Sequence, residues 1–288
     1  MTAAMCGCTE IEEDIPVSVT ETSFTETPYP VTAGSLIFEN APETVGSLSP
    51  ALTEIICELG YGDRLIGVSD YCDYPEEISE KAKLGSAANP DVDAVIEVSP
   101  ELLVSLSPIA KKDITAIEAA GTRVWIISPP GSVSELYGCY EDIAAVFGGK
   151  LDSESAAGKA LKPLISSLAE AEGTIDSFVY IMSPDLAAAT SSTFAGNFFS
   201  CFGKNAADEA MSGEDDTLTA EELTELDPQW LILPDTINIY ELPEETSALS
   251  AIKEDRIIYL DDEMLERIER PTSRLSETAE EILSEIRG

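Results

Sequence analysis

The chain carries 55 acidic side chains, nine tyrosines and six cysteines but no histidine. That absence removes the Ser-His-Asp triad, the Cys-His dyad and every histidine metal site. Neither Gly149-Lys150-Leu151 nor Gly203-Lys204-Asn205 completes a phosphate loop, because the hydroxyl residue after the lysine and the earlier glycine are missing. The cysteines, at 6, 8, 57, 72, 139 and 201, show no Cys-x-x-Cys spacing for zinc or redox work. What remains is the chemistry of contact: aromatic faces, hydroxyls, amides and carboxylates. No catalytic residue, resident cofactor or metal site is expected, and the pattern points to binding rather than to an enzyme.

Two carboxylates stand out by their spacing. The phrase Asp93-Ala-Val-Ile-Glu-Val-Ser-Pro100-Glu-Leu-Leu-Val104 is answered 128 positions later by Glu221-Glu-Leu-Thr-Glu-Leu-Asp-Pro228-Gln-Trp-Leu-Ile232. In each, an acidic residue stands seven places before a proline, apolar residues stand five and two before it, and an apolar strand follows. Downstream, Thr122-Arg-Val-Trp-Ile-Ile-Ser128 is matched by Asp255-Arg-Ile-Ile-Tyr-Leu-Asp261 at an offset of 133. Two ordered matches argue for two lobes of similar build, with a ligand cleft between them. Taken alone, each acidic residue also suits the first turn of a helix, where the dipole favours negative charge.

The elements that position these residues follow from periodicity. Ser49-Pro50 starts a helix with Leu52, Ile55, Ile56 and Leu59 on one face, and strand Leu65–Val68 opens into the loop Ser69-Asp-Tyr-Cys-Asp-Tyr-Pro75. Helices over 91–98, 112–120 and 133–147 alternate with strands over 102–106 and 123–127, the mark of a parallel sheet covered on both faces. Ala156, Ala160, Leu161, Leu164, Ile165 and Leu168 define a helix over 152–172, with Pro163 expected to bend it or mark its true start. A second unit has strands over 178–182, 230–233 and 257–260 and helices over 195–202, 219–226 and 272–286. Residues 1–34 thus form an amino-terminal segment and tether, 35–150 one lobe, 151–174 a connecting helix and 175–288 the other lobe. The fold class is α/β, two Rossmann-like lobes with mostly parallel sheets joined by one long helix. The loops after the strands are expected to line the cleft: Tyr71, Tyr74, Ser107 and Pro108 from the first lobe, and Phe194, Phe198, Asn238 and Tyr240 from the second. Their aromatic groups suit a bulky ring system. Phe194 and Phe198 equally suit core packing at helical spacing. Trp125 and Trp230 read as core, Cys57 and Cys201 as buried thiols, and Cys72 as more exposed.

The formal net charge of -39 excludes nucleic acid and anionic lipid surfaces as partners, since phosphate contacts require basic groups. No run approaches the roughly eighteen apolar residues of a membrane helix. Met5-Cys6-Gly7-Cys8, followed by a Thr-, Glu- and Pro-rich stretch, resembles the processing site of a bacterial lipoprotein, with Cys8 as the lipidated residue and the signal already trimmed. The alternative is an expression remnant with incidental cysteines.

From about Pro42 onward the chain resembles the substrate-binding proteins of ABC importers for cobalamin and ferric siderophores, the class III periplasmic-binding-protein type with lobes joined by a rigid helix. The motifs are Ser47-Leu-Ser-Pro-Ala-Leu-Thr-Glu54, Leu65-Ile-Gly-Val-Ser-Asp-Tyr-Cys-Asp-Tyr-Pro75, the repeated helix-Pro-strand phrase, and Gly203-Lys-Asn205. The resemblance implies that Asp93 and Glu221 dock onto arginines of a permease dimer with its ATPase, and that Tyr71 faces the ligand. Family members usually carry glutamate at both docking positions, so Asp93 is one methylene short. Cobalamin binders of the family carry tryptophan near Ala87, which this chain lacks.

These features lead to the expectation of a monomeric, extracytoplasmic protein held to the cell membrane only by its lipid. It would capture a small metal chelate for an importer. The acidity disfavours anionic siderophores unless Lys111, Lys112, Arg267 or Arg270 builds a local basic pocket, so a corrinoid is slightly favoured, with a ferric siderophore or haem as alternatives. A chelatase-like enzyme, or a surface sensor or adhesin on the same fold, are the alternatives of other classes.

Overall fold

The computed structural model describes residues 27–211 and 216–288, so Cys8 lies outside the described residues. The chain enters through an antiparallel hairpin, β1 (Val31–Ala33) and β2 (Leu36–Phe38), turning at Gly34, whose φ of 57° suits a residue without Cβ. Parallel strands β3 (Val45–Ser47), β4 (Leu65–Val68), β5 (Ala82–Lys83), β6 (Leu102–Ser105) and β7 (Arg123–Ile126) then form a sheet in the order β5-β4-β3-β6-β7. Helices α1 (Pro50–Glu58), α2 (Val92–Val98), α3 (Lys111–Ala119) and α4 (Val133–Gly148) connect and cover it. The hairpin packs on α4 with Val31, Ala33 and Phe38 buried, so the expected tether does not extend to residue 34. Its alternating apolar residues belong to the first lobe's core.

The connector differs in detail from the single helix expected. It is two helices, α5 (Ser153–Ala160) and α6 (Lys162–Ala171), meeting at Leu161, whose φ of −85° and ψ of 0° leave the helical range. Pro163 has no N–H for the Lys159 carbonyl, and its ring crowds the preceding turn. The ladder resumes at once, with Ile165 N–H donating to the Leu161 carbonyl at 2.9 Å.

The second sheet holds β8 (Ser177–Ile181), β9 (Ala188–Ala189), β10 (Lys204–Asn205), β11 (Trp230–Pro234) and β12 (Ile257–Leu260). Its order is β10-β8-β11-β12, all parallel, with β9 antiparallel on β8. Around it lie α7 (Phe194–Phe199), the short α8 (Ala207–Ala210), α9 (Ala220–Leu226), the short α10 (Ser250–Lys253), α11 (Asp262–Glu269) and α12 (Leu275–Arg287). The connector's first half packs on α4 and its second on α12, tying it to both lobes. One continuous core runs from Phe38, Trp125 and Phe147 through Leu164 to Phe178, Ile232 and Leu260. An apolar junction of this kind restrains relative lobe motion.

The repeat is structural as well as textual. Helices α2 and α9 begin at 92 and 220 and end at 98 and 226, keeping the 128-residue offset of the sequence repeat. Each stops at a left-handed residue before its proline, Ser99 at φ 51° and Asp227 at φ 36°. Leu103 pairs with Val124, and its counterpart Leu231 pairs with Ile257, so the register also matches.

Candidate functional site: the mouth between the lobes

In each sheet the chain runs outward one way, returns, and runs outward the other way, so crossovers diverge at β3/β6 and at β8/β11. Ligands of open α/β sheets bind outside the carboxyl ends of strands at such switch points. In the first lobe this is where the loop after β6 carries Ser107 and Pro108, both exposed. The Ser105 hydroxyl holds that loop, accepting from Ser107 N–H at 3.1 Å and donating to the Ser107 carbonyl at 2.8 Å. In the second lobe the loop after β11 carries exposed Asn238 and Tyr240. The Asn238 side chain accepts from Tyr240 N–H at 3.0 Å, leaving the Tyr240 ring 89% exposed.

The loop after β4 is braced from several sides while its first tyrosine stays free. Ser69 Oγ accepts from Tyr71 N–H, Asp70 N–H donates to the Gly85 carbonyl, and Lys83 Nζ donates to the carbonyls of Ser69 (3.3 Å) and Cys72 (3.0 Å). Cys72 anchors the loop from below. Contrary to expectation it is buried, its sulfur 3.2 Å from Thr53 Oγ1, and burial pushes its thiol pKa up. Tyr71, 66% exposed, is thus an aromatic platform on a fixed backbone.

The second lobe reaches across to the same loop. Arg270 pairs with Asp73 at 2.8 Å, and the Arg274 guanidinium lies 4.0 Å from the centre of the Tyr74 ring while pairing with Glu54 at 3.4 Å. Glu54 also accepts from the Thr272 hydroxyl at 3.3 Å, but its Oε1 has no hydrogen-bond partner among the described residues. Burial pushes the Glu54 pKa up to about 7, against the opposing pull of Arg274. Beside it the Tyr140 hydroxyl donates to Glu58 and accepts from Ser273 N–H at 2.9 Å. The segment 270–274 is therefore a strap from the second lobe onto the first. Nothing in local spacing marks Glu54, Arg270 and Arg274 as partners, because they meet across more than 190 positions of sequence.

Two further expectations are corrected here. Phe198 is fully buried, packed at 5.3 Å and 5.9 Å between ring centres on Phe199 and Phe202, and belongs to the core. On a short apolar helix, the face toward the sheet wins over the face toward solvent. Phe194 packs partly buried against the same core, at the start of α7. Arg267 offers no basic pocket, being 6% exposed and paired with Glu263, Glu277 and Glu281. Arg270 is likewise taken, by Asp73 and Glu266. Trp125 is buried, whereas Trp230 and the thiols Cys57 and Cys201 are half-buried. The Gly203-Lys204-Asn205 motif is structural: Asn205 donates to the Ala189 carbonyl at 2.8 Å, and a Cβ on Gly203 would meet the Ile175 carbonyl oxygen.

Asp93 and Glu221 lie exposed in the first turns of α2 and α9. Each helix is capped in front, by the Asp91 side chain accepting from Ala94 N–H and by a Thr219–Glu222 capping box. Other residues do the capping, and the two carboxylates form no ion pair among the described residues.

Two α/β units of matching register, each with a switch point at the carboxyl ends of its parallel strands and joined through a two-helix connector, have the build of a two-lobed binding protein. The chain belongs to the periplasmic binding protein family, which it matches over residues 45–264. It is 27% identical over 258 residues to a Bacillus subtilis protein named "Uncharacterized ABC transporter substrate-binding lipoprotein YvrC", covering 85% of this chain and 80% of that one. A Halobacterium salinarum "Cobalamin-binding protein" is 25% identical over 209 residues, 69% of this chain and 55% of its own length. The crystal structure of the vitamin B12-binding protein BtuF of Vibrio cholerae shares the fold with a TM-score of 0.64 at 19% identity, covering 85% of this chain and 97% of that one.

Proposed function

We propose that the protein is the extracytoplasmic substrate-binding component of an ABC importer, lipid-anchored through Cys8, that carries a metal chelate, a corrinoid before a ferric siderophore, to a permease dimer and its ATPase. Tyr71, Tyr74, Ser107, Pro108, Asn238 and Tyr240 contact the ligand from the two mouths, with Phe194 at their edge. The observation that carries the reading is the matched presentation of Asp93 and Glu221. Two exposed carboxylates sit at equivalent turns of equivalent helices, and a two-fold partner with complementary charge can recognise both at once. The lipid anchor and a monomeric state are parts of this reading, supported by the lipoprotein-like amino-terminal segment and by the name of the Bacillus relative.

The test is the double charge reversal Asp93→Arg with Glu221→Arg. Cellular uptake of labelled cobalamin is expected to fall to background while the purified variant binds it with unchanged Kd. Normal uptake by the double variant refutes the docking role, and failure of the parent protein to bind any chelate refutes the transport reading.

A further inference from the structure

We infer that the mouth selects neutral or cationic chelates and rejects polyanionic ones, a statement about the ligand's charge class that rests on the transport reading above. All 16 lysines and arginines fall within the described residues, so every cation can be placed. Ten of them lie at or before the amino ends of strands, on the connector, or at the ends of α4, α10 and α12, and none of these follows the carboxyl end of a strand. The other six, Lys83, Lys111, Lys112, Arg267, Arg270 and Arg274, stand near the carboxyl ends of strands or on the strap.

Four of those six are already committed. Arg267 is buried among three glutamates. Arg270 bridges Asp73 and Glu266, and Arg274 is shared between Glu54 and the Tyr74 ring. Lys83 is spent on two backbone carbonyls beneath the Tyr71 loop. Lys83 is exposed, but its ammonium is held by those carbonyls; Lys111 and Lys112, the other exposed pair, sit at the amino end of α3, where the helix dipole disfavours added positive charge. Lys112 is 85% exposed and already 4.0 Å from Asp113.

Carboxylates at the same strand ends are not matched in this way. Asp70, Asp185, Asp235 and Asp262, after β4, β8, β11 and β12, are exposed and form no ion pair among the described residues. A polyanion entering the mouth would lose its hydration and face this unbalanced negative field, with only the solvent-exposed Lys111 and Lys112 to meet it unless it breaks the Arg270 and Arg274 pairs of the strap. A neutral, amide-fringed ring meets no such penalty. It can stack on Tyr71 and Tyr240 and hydrogen-bond the hydroxyl-rich turn at Thr190–Thr193, and a monocation gains further from the exposed rings.

The experiment is a calorimetric titration of the full chain with four probes of graded charge: cyanocobalamin (neutral), ferrioxamine B (cationic), hemin (two carboxylates) and a ferric tris-catecholate (polyanionic). It is run at low and at near-physiological salt, and repeated with the triple variant Asp70→Asn, Asp185→Asn, Asp235→Asn. The expected result is that at least one of the first two binds at least tenfold, about 1.4 kcal/mol, more tightly than either anionic probe. The triple variant should narrow that gap, as should added salt. An anionic probe that binds as tightly as the best of the others at low salt overturns the charge selection while leaving the transport reading intact. Binding of none of the four overturns both.

Discussion

Glu54 is a carboxylate of α1 sealed under the strap of the opposite lobe, and its titration should be visible in the stability of the whole molecule. It is 1% exposed, with one oxygen held by Thr272 and Arg274 and the other without a hydrogen-bond partner among the described residues. Its ordinary pKa of 4.5 rises to about 7 in the folded protein, first through burial and also through nearby Glu58, with Arg274 and Arg270 pulling the other way. The folded state therefore holds this proton more tightly than the unfolded chain does. The resulting stabilisation is complete below the unfolded value of 4.5 and is lost as pH rises through about 7. At about 1.4 kcal/mol per pKa unit, this contribution amounts to about 3 kcal/mol. Glu54→Gln keeps the shape and the hydrogen-bonding capacity but cannot titrate. Urea unfolding of both proteins at constant ionic strength, from about pH 5 to about pH 8, should show the variant gaining about 2.5 kcal/mol on the parent as pH rises, most of the full contribution. All other ionisable groups are common to the two proteins, so the difference reports Glu54 together with its coupling to nearby Glu58. A stability difference that is flat across this range would refute the reasoning, because it would mean that Arg274 fully compensates the buried charge.

Other consequences are open to simpler assays. Phe198→Ala should cost about 3–5 kcal/mol in chemical unfolding, as expected for an emptied aromatic core site, whereas Tyr240→Ala should leave stability within about 0.5 kcal/mol and weaken only ligand binding. Gly196→Ala places a Cβ 2.0 Å from the Thr190 carbonyl oxygen, so the hydroxyl turn must shift and the melting temperature should fall. With a net charge of -39, self-repulsion opposes compaction. Raising salt from about 0.05 M to about 1 M should raise the melting midpoint, and a midpoint that stays constant or falls would contradict this.

Much of the scaffold was legible because its signals are local. Ser49-Pro50, Pro163 and the prolines at 100 and 228 mark helix boundaries through the geometry of a ring that lacks an N–H. Other pieces were missed where local signals were weak. The helix at Asp262–Glu269 hides in an acidic run, although Asp261 caps it by accepting from Met264 N–H, and Met264 and Ile268 give it a buried face. The first strand of the hairpin, Val31–Ala33, falls inside the stretch that reads as tether, because a three-residue strand carries almost no periodicity.

The sequence by itself determined the duplicated architecture, the absence of histidine chemistry and the equivalence of Asp93 and Glu221, because these rest on residue type and on spacing along one chain. Only the tertiary structure decided that Phe198 belongs to the core, that Cys72 is buried, and that Arg267, Arg270 and Arg274 are spent on carboxylates rather than offered to a ligand. Those outcomes depend on which surfaces meet in three dimensions, within a lobe for Phe198, Cys72 and Arg267 and across the lobes for Arg270 and Arg274. Burial and ion pairing over nearly two hundred positions leave no trace in the local pattern of residues.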